Sequence, residues 1–263
     1  MGIIGASRGL GAAMLEAYGR QRRVVTGFSR SGIGLEAGTF TAVADVTARE
    51  ALNSVERWLE KAGEPRLVVV TAAVLGPVGG IGRVKVNEWA EAVRVNLVGA
   101  ANVLHVLAPI VSSEDRVVFF TGGGVGGPKM QPRVSAYTAS KAGLAVLLEE
   151  VASDDSFAAP VVGLAPGAFP TGFADEVLQV GATVAGDELL EQVSSVKNRD
   201  FDLAPVLSAL DFIESPEGAA LNGRIVSAQR DDLREVSSLC LSSNDVFRLR
   251  RVDDRSVRIV APW

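Results

Sequence analysis

The sequence predicts a doubly wound α/β domain with a seven-stranded parallel sheet flanked by helices. Short runs rich in β-branched residues alternate with longer amphipathic segments along most of the chain, which is typical of parallel strands joined by crossover helices. A glycine-rich turn lies between the first predicted strand and the first predicted helix. The length of 263 residues suits one domain with a single large core.

The predicted strands are short, and most of the segments between them are long enough for a helix. The strands are Gly2–Ile4, Arg23–Gly27, Thr39–Ala44, Leu67–Thr71, Arg116–Thr121, Pro160–Leu164 and Gly223–Ser227. The helices are Leu10–Gln21, Arg49–Ala62, Val86–Val111, Tyr137–Ala152 and Leu203–Ile213. Two further segments complete the single domain at 1–263: a helical insertion at 171–200, interpreted as a substrate lid, and a charged C-terminal tail at 231–263.

Composition argues against several classes of function. Hydrophobic residues make up 48% of the chain and charged residues 22%, so disorder on the scale of a domain is not expected. A net charge of -5, without a basic stripe, argues against nucleic acid as a partner. One His and one Cys exclude an internal disulfide and leave little material for a metal site. The apolar stretch 67–82 is broken by Pro77 and is too short for a membrane span, so we expect a cytoplasmic protein.

The turn from Gly5 to Gly11 has the features of a phosphate-binding loop. Backbone close to a pyrophosphate needs residues without Cβ, and the N-terminus of the following helix attracts the anion. The spacing differs from G-x-G-x-x-G, so the strand before the turn and the helix after it carry the interpretation. The residues predicted to bind a dinucleotide here are Gly5, Ser7, Arg8, Gly9, Leu10 and Gly11.

The end of the second strand favours NADP over NAD. Ser29, Arg30 and Ser31 stand where an NAD-selective fold usually presents an acidic residue to the ribose 2′-hydroxyl. Arg30 and Arg8 can instead pair with a 2′-phosphate. In the alternative interpretation, both arginines are solvated surface charges.

Tyr137 and Lys141 form the strongest chemical signal. They are four residues apart, so they share a helix face and the ammonium can approach the phenol. A free phenol titrates near ~10, so a cation and a nicotinamide cofactor would be needed to make it an acid or base near neutral pH. Without the glycine turn, the pair would be interpreted as a surface contact.

Together these motifs resemble the short-chain dehydrogenase/reductase family, whose members have a Rossmann-like fold. The resemblance runs from Gly2 to about Ser227, and five motifs occur in the family's order. The positions that match the family's cofactor site are Gly5, Gly9, Gly11, Asp45, Val46, Pro166, Gly167 and Thr171. The positions that match its catalytic site are Asn96, Tyr137 and Lys141.

The resemblance implies an NADP-dependent oxidoreductase that interconverts a carbonyl group and a secondary alcohol. Tyr137 would exchange a proton with the substrate oxygen, Lys141 would lower the pKa of the tyrosine and hold the nicotinamide ribose, and Asn96 would hold a water of a proton relay. Relatives pair through the helices that carry Asn96 and Tyr137, which implies a homodimer or homotetramer. Two other functions stay open: a dinucleotide-binding sensor with weak or no catalysis, and a nucleotide-sugar epimerase or dehydratase.

Two departures from the family pattern stand out, one at the substrate end and one where the cofactor packs. The family usually has a serine about a dozen residues before the tyrosine, but here the fifth strand leads into a threonine and three glycines at 121–124. Thr121, backbone amides or the substrate itself would then replace the serine hydroxyl, and losing one such donor commonly costs about 10²–10³ in rate. The segment 71–74 replaces the family's Asn-Asn-Ala-Gly, so Ala72 and Ala73 are expected to contact the cofactor differently. A bacterial subgroup of the family is similar in its Gly-Gly-Gly run and its arginine-containing tail.

Other conspicuous residues have structural interpretations. His105 has apolar neighbours and is expected to be packed or at an interface, and Cys240 is expected to be inert. The tail arginines, among them Arg248, either form a solvated face or reach an anionic substrate. The first strand has three residues before the turn, so we expect its edge to fray or the natural chain to begin upstream.

Overall fold

The computed structural model of the chain describes residues 1–21, 24–30, 39–63, 65–122, 132–170, 172–198, 200–243 and 246–248. Within these residues, seven parallel strands form one sheet in the order β3-β2-β1-β4-β5-β6-β7. The strands are β1 Gly2–Ile4, β2 Val25–Ser29, β3 Thr39–Val43, β4 Leu67–Val70, β5 Arg116–Phe120, β6 Val161–Ala165 and β7 Ile225–Ser227. The predicted seven-stranded parallel sheet is confirmed.

Helices cover both faces of this sheet. They are α1 Gly9–Arg20, α2 Asn53–Lys61, α3 Val86–Val93, α4 Gly99–Leu107, α5 Ser135–Val151, α6 Gly172–Ala185, α7 Asp187–Lys197, α8 Ala204–Glu214 and α9 Leu233–Ser242. A π-helical turn at Arg94–Val98 joins α3 to α4, and 3₁₀ turns lie at Arg49–Leu52 and Glu217–Leu221. In the part of the chain that is described, no helix combines the length and the apolar character needed to cross a membrane.

The strands contribute side chains to two apolar layers, one on each face of the sheet. Val69 and Phe120 pack with α1, α8 and α9, whereas Val70 and Phe119 pack with α2, α4 and α5. Successive side chains of a strand point to opposite faces, and both faces are covered here. This is why the strands are continuous apolar runs in the sequence rather than alternating ones.

The sheet reverses its order at β1, which positions the site. In register, Gly2 pairs with Thr26 of β2 on one side and with Val68 of β4 on the other. Strands β2 and β3 therefore follow β1 on one side of the sheet, and β4 to β7 follow on the other. The loops that leave the carboxyl ends of β1 and β4 consequently turn to opposite sides. Open α/β sheets bind ligands in the crevice at such a switch point.

Several predicted element boundaries were wrong. β2 extends to Ser29 instead of Gly27, because its pairing with β3 continues to the register pair of Ser29 and Val43. The third predicted helix is interrupted by the π-helical turn and ends at Leu107. β1 does not lie at a sheet edge: all three of its residues are buried between β2 and β4.

The tail was predicted as a charged extension, and no element was assigned within it. The structure places α9 there, and Leu233, Val236 and Cys240 of this helix lie in the core. The three positions are spaced as on one face of a helix. This helical periodicity was present in the sequence, but the charged residues around it made the segment look like an extension. Arg248 forms an ion pair with Glu149 at 3.3 Å, which supports a structural role for this arginine.

Candidate functional site

A cleft of about 1170 Å³ opens at the carboxyl ends of the central strands. Nearly all the predicted site residues within the described ranges line this cleft, although they lie far apart in the sequence. These are Gly5, Ser7, Arg8, Gly9, Leu10, Gly11, Ser29, Arg30, Asp45, Val46, Ala72, Ala73, Thr121, Tyr137, Lys141, Pro166 and Gly167. Asn96 lies behind the cleft wall, and Ser31 and Thr171 lie outside the described residues.

The glycine turn packs too closely on its neighbours to accept side chains. A Cβ on Gly11 would lie 2.4 Å from the carbonyl oxygen of Gly5, and a Cβ on Gly5 would lie 2.5 Å from the amide nitrogen of Ala72. Gly5 also has a φ of +99°, which favours glycine. The Thr71 hydroxyl donates a hydrogen bond to the Gly5 carbonyl at 3.1 Å. Thr71 therefore ties the turn to β4, which explains how the unusual segment after β4 is accommodated.

Helix α1 presents a free N-terminus to this cleft. Its N-cap residue, Arg8, makes no side-chain capping hydrogen bond, and the first turn carries no acidic residue. Ser29, at the end of β2, lines the same cleft, and its buried hydroxyl has no hydrogen-bond partner among the described residues. Open helix amides and an unpartnered hydroxyl suit an anionic ligand. These groups fit the phosphates of a dinucleotide.

Asp45 and Arg30 place a carboxylate and a guanidinium side by side in the cleft, beyond the carboxyl ends of β3 and β2. Burial opposes ionisation of Asp45, but hydrogen bonds from Thr47 and the charges of Arg30 and Arg94 outweigh it and lower the pKa of Asp45. Thr47 donates to the Asp45 carboxylate from its amide at 2.9 Å and from its hydroxyl at 2.8 Å. Asp45 is therefore held as an ionised acceptor beside the exposed Arg30.

Lys141 is buried at the base of the cleft. Its side chain is 4% exposed, and Nζ donates a hydrogen bond to the Phe120 carbonyl at 2.7 Å. The same Nζ lies 5.8 Å from the centre of the Tyr137 ring, as the shared helix face predicted. Burial lowers the pKa of Lys141 to about 8.

Tyr137 lies between the end of β5 and α6. Its ring packs edge-on against Phe173, with centroids 5.5 Å apart. Burial raises the pKa of Tyr137 to about 12. Desolvation dominates in this geometry, and the ammonium of Lys141 is directed to the Phe120 carbonyl. The lowering of the tyrosine pKa by Lys141 stays a prediction for the cleft with a nicotinamide cofactor bound.

Asn96 holds two backbone segments together. Its amide nitrogen donates to the Val74 carbonyl at 2.8 Å and to the Ser140 hydroxyl at 3.0 Å, and its oxygen accepts from the Val74 amide at 2.8 Å. Ser140 in turn donates to the Tyr137 carbonyl at 2.8 Å. Both amide hydrogens of Asn96 are thus used by the protein. The side chain positions the loop after β4 and the start of α5, and has no donor left for the expected water.

A small cavity lies where that water was expected. It has a volume of about 10 Å³ and is lined by Asn96, Phe120 and Lys141, among others. This volume is close to the minimum that one water molecule needs. Asn96 also lies in the π-helical turn, a feature that is frequent at functional sites and that sequence patterns do not reveal.

Gly122, which stands where the family usually has a serine, lies directly against the side chain of Tyr137. A Cβ at this position would lie 2.6 Å from Cε1 and 2.7 Å from the hydroxyl oxygen of Tyr137. Such distances are far below van der Waals contact, so a serine at 122 is incompatible with Tyr137 in its present position. The phenol occupies the space that the serine side chain would need.

Thr121 is buried at the same strand end. Its side chain is 3% exposed, and its hydroxyl has no hydrogen-bond partner among the described residues. An unpaired buried hydroxyl costs about 1–3 kcal/mol of stability, so such groups require an explanation in a native structure. A substrate oxygen that accepts a hydrogen bond from Thr121 would remove this cost.

Helices α6 and α7, named here the lid helices after the substrate lid that the sequence predicts at 171–200, supply a wall of the cleft. Their Val177 and Leu189 are buried in a cluster with Leu75 and Val134, against which Tyr137 packs. The apolar residues of the lid helices recur at helical spacing, which was the available signal.

Arg133 joins the lid helices to the start of α5. Its guanidinium donates a hydrogen bond to the Val184 carbonyl at 3.1 Å, and its own carbonyl accepts from the Gly79 amide at 2.7 Å. Its φ of 65° is a left-handed value that is rare outside glycine. Three segments around the cleft mouth are thus connected through one residue.

Known proteins match both the sequence and the fold. Residues 1–180 match the family model described as short chain dehydrogenase. "Oxidoreductase BOA17" of Botryotinia fuckeliana is 28% identical over 191 residues, which is 68% of each chain. A short-chain dehydrogenase/reductase of Saccharomyces cerevisiae superposes with a TM-score of 0.73 at 21% identity, over 89% of this chain and 96% of that one. The KRED1-Pglu enzyme has a TM-score of 0.73 at 25% identity, over 86% and 99% of the two chains.

Proposed function

Because this chain belongs to the short-chain dehydrogenase family and is an NAD(P)-dependent oxidoreductase, we propose that it transfers a hydride between NADP(H) and a carbonyl or secondary alcohol substrate. The observation that carries this proposal is that Tyr137 and Lys141 share a cleft with the glycine turn at the N-terminus of α1. A proton donor and a dinucleotide site in one cleft are the two requirements of such a reaction.

The proposed cofactor contacts follow the length of the cleft. The turn from Gly5 to Gly11 would hold the pyrophosphate, and Ser29, Arg30 and Arg8 would hold the 2′-phosphate. The remaining contacts would come from Asp45 and Val46 at the adenine, from Ala72 and Ala73, and from Pro166, Gly167 and Thr171 at the nicotinamide. When bound, the reduced nicotinamide supplies the hydride.

Tyr137 would act as the proton donor in the reductive direction. With a pKa of about 12, its phenol is protonated at neutral pH and can donate to a carbonyl oxygen. Lys141, with a pKa of about 8, is mostly charged at pH 7 and would return a proton to the phenol. The cavity beside Asn96 would hold the water that connects Lys141 to solvent. The substrate gains a hydride on carbon and a proton on oxygen, and is thereby reduced to the alcohol.

Thr121 would polarise the substrate carbonyl in place of the missing serine. Its buried and unpartnered hydroxyl is the observation that supports this role. The Gly-Gly-Gly run would then define a subgroup in which Gly122 and Tyr137 are packed together and the hydrogen-bond donor has moved to the preceding residue.

Tyr137→Phe tests the proposed function. We expect its turnover of a carbonyl panel, measured as NADPH oxidation, to fall by about 10²–10⁴, the usual contribution of a general acid. NADPH affinity, measured by fluorescence titration, should be unchanged. Tyr18→Phe, at the other tyrosine, is the matched control and should keep its turnover. Tight NADPH binding without Tyr137-dependent turnover would instead support a sensor without catalysis.

An Arg8→Ala/Arg30→Ala variant tests the choice of cofactor. Loss of two charge-assisted hydrogen bonds to a 2′-phosphate should weaken NADPH binding at least tenfold and leave NADH binding unchanged. Arg20→Ala/Arg57→Ala, which removes two cations elsewhere on the chain, is the control. Unchanged NADPH affinity in the first variant would contradict the 2′-phosphate assignment.

We also propose a cytoplasmic homodimer or homotetramer built from single-domain subunits of residues 1–263. Exposed apolar side chains on the helices that carry Asn96 and Tyr137 support this, since Val98 is 47% exposed and Val146 is 48% exposed. The segment 171–200 would act as the substrate lid and 231–263 as a C-terminal extension. Light scattering of the purified protein measures the assembly directly.

A further inference from the structure

We propose that the substrate is an apolar carbonyl compound that bears no negative charge and binds between Tyr137 and the lid helices. This inference rests on the proposed function, because it takes the cleft as the place of hydride transfer. It goes further by naming the chemistry of the substrate from the walls around the proton donor.

The wall around Tyr137 is apolar and closely packed. Leu75, Val134, Val177 and Leu189 line the cleft, and each is between 2% and 5% exposed. They pack with Tyr137 in one cluster, so the phenol is surrounded by hydrocarbon on the lid side. Each substrate methylene buried against such a wall should strengthen binding by about fourfold.

Buried polar anchors are scarce in the same wall, because Gln192, the uncharged polar residue that α7 contributes to the cleft, is exposed. Of the described residues that line the cleft near Tyr137, Thr121 has a buried hydroxyl without a partner. One hydroxyl and one phenol suffice for a single carbonyl oxygen. A sugar has several hydroxyl groups, each of which would lose its hydrogen bonds to water against this hydrocarbon.

The charged side chains that α7 contributes to the cleft lining are acidic, and the nearby guanidinium of Arg133, bound to the Val184 carbonyl, is not part of that lining. Glu188 and Glu191 line the cleft from α7, the helix that also contributes Leu189 to the apolar wall. Arg230 and Asp231 line it after β7 with opposite charges. Two carboxylates beside the apolar wall would repel a carboxylate or phosphate on the substrate.

Three aldehydes of known chemistry distinguish the possibilities with NADPH as the reductant. Octanal is apolar, 8-oxooctanoate has the same chain with a carboxylate at its far end, and glucose is polar throughout. We expect kcat/KM to be at least tenfold higher for octanal than for 8-oxooctanoate. The excess of octanal over glucose should be larger still when kcat/KM for glucose is calculated from the concentration of its open-chain aldehyde. Between butanal and octanal, kcat/KM should rise severalfold.

A charge variant assigns the discrimination to α7. Glu188→Gln/Glu191→Gln should raise kcat/KM for 8-oxooctanoate relative to octanal at least threefold. Glu60→Gln/Glu114→Gln removes the same charge from two exposed positions elsewhere and should leave this ratio unchanged. An equal effect of both double variants would show that only net charge matters, and would overturn the role of α7.

Binding of the alcohol products separates this inference from the proposed function. Calorimetric titration with octanol and 8-hydroxyoctanoate, in the presence of NADP⁺, should rank octanol as the tighter ligand. Tighter binding of octanol without turnover of any aldehyde would support the apolar site and contradict the oxidoreductase. Tyr137-dependent turnover that favours 8-oxooctanoate or glucose would overturn the apolar substrate and leave the oxidoreductase standing.

Discussion

The two ends of the cleft differ in the kind of contact that forms them: main-chain atoms at one end and side chains at the other. At the cofactor end, backbone meets backbone: Cβ atoms on Gly5 or Gly11 would lie within 2.5 Å of main-chain atoms. At the substrate end, side chains from α5 and the lid helices meet around Tyr137. Backbone contacts tolerate almost no change, whereas a wall of side chains can vary one residue at a time. The sequence departs from the family pattern at both ends: the segment 71–74 still packs closely on the glycine turn, whereas at the substrate end Gly122 stands beside Tyr137 where the family usually has a serine.

Gly122→Ser tests this difference most strongly. A serine fits the family's pattern, but here its Cβ would overlap the ring and hydroxyl of Tyr137. We expect turnover to fall by about 10³-fold, which is the usual scale of a lost general acid. Displacement of the ring should also expose the phenol, so its pKa, followed by ultraviolet titration, should fall from about 12 towards that of a free phenol.

Gly82→Ser is the control for this variant, because a Cβ there meets nothing within 4 Å. It should leave both turnover and the tyrosine titration unchanged. An increase of turnover in Gly122→Ser would mean that the substrate end accepts the serine and that the packing against Tyr137 is not required.

Thr121→Val should have the next largest effect. Removal of the buried hydroxyl is expected to lower kcat about 100-fold if this group polarises the carbonyl. The same change should raise the free energy of unfolding by about 1 kcal/mol, because an unpaired buried donor is removed. Thr121→Ser retains the hydroxyl and should keep most of the activity. Undiminished turnover in Thr121→Val would transfer the role to backbone amides or to the substrate.

Gly11→Ala tests the cofactor end. The added Cβ would meet the Gly5 carbonyl at 2.4 Å and the Thr71 hydroxyl oxygen at 2.7 Å, which forces the turn to move. We expect a loss of about 2 kcal/mol in NADPH binding, roughly 30-fold in affinity, by fluorescence titration. Gly63→Ala, where a Cβ meets nothing within 4 Å, should bind NADPH normally. Normal binding by Gly11→Ala would show that the turn adapts more easily than its contacts indicate.

The pH dependence of stability should show the buried Lys141. Its folded pKa is depressed to about 8 from 10.5, so between these values the unfolded chain binds more protons than the folded one. Stability due to this group therefore rises as the pH increases through that window. We expect a rise of about 2 kcal/mol between pH 8 and pH 10 relative to Lys141→Met, measured by denaturant unfolding. The raised pKa of Tyr137 affects stability only above about pH 10.

Lys61→Met is the control for this measurement, since Lys61 is exposed and its loss should leave the rise in place. An identical pH dependence in the wild type and in Lys141→Met would contradict the burial of a charged lysine.

The cofactor end was predictable because its signals are local. The glycine turn from Gly5 to Gly11 lies between a strand and a helix that are adjacent in the chain, and this context already indicated close backbone approach. Tyr137 and Lys141 lie within one helical turn, so their proximity also followed from the sequence. By contrast, the contacts of Asn96 join segments 22 and 44 residues apart, and no local pattern could indicate them.

The pattern of apolar runs, the glycine turn and the Tyr137–Lys141 spacing determined the fold class and the end of the sheet where the cleft lies. Periodicity and turn geometry depend on neighbours in the chain, so the residues alone sufficed for these. Only the tertiary structure decided the pKa of Tyr137, the close packing of Gly122 on Tyr137 and the apolar wall of the lid helices. Desolvation, steric overlap and packing arise between residues that are distant in the chain, and they exist only once it is folded.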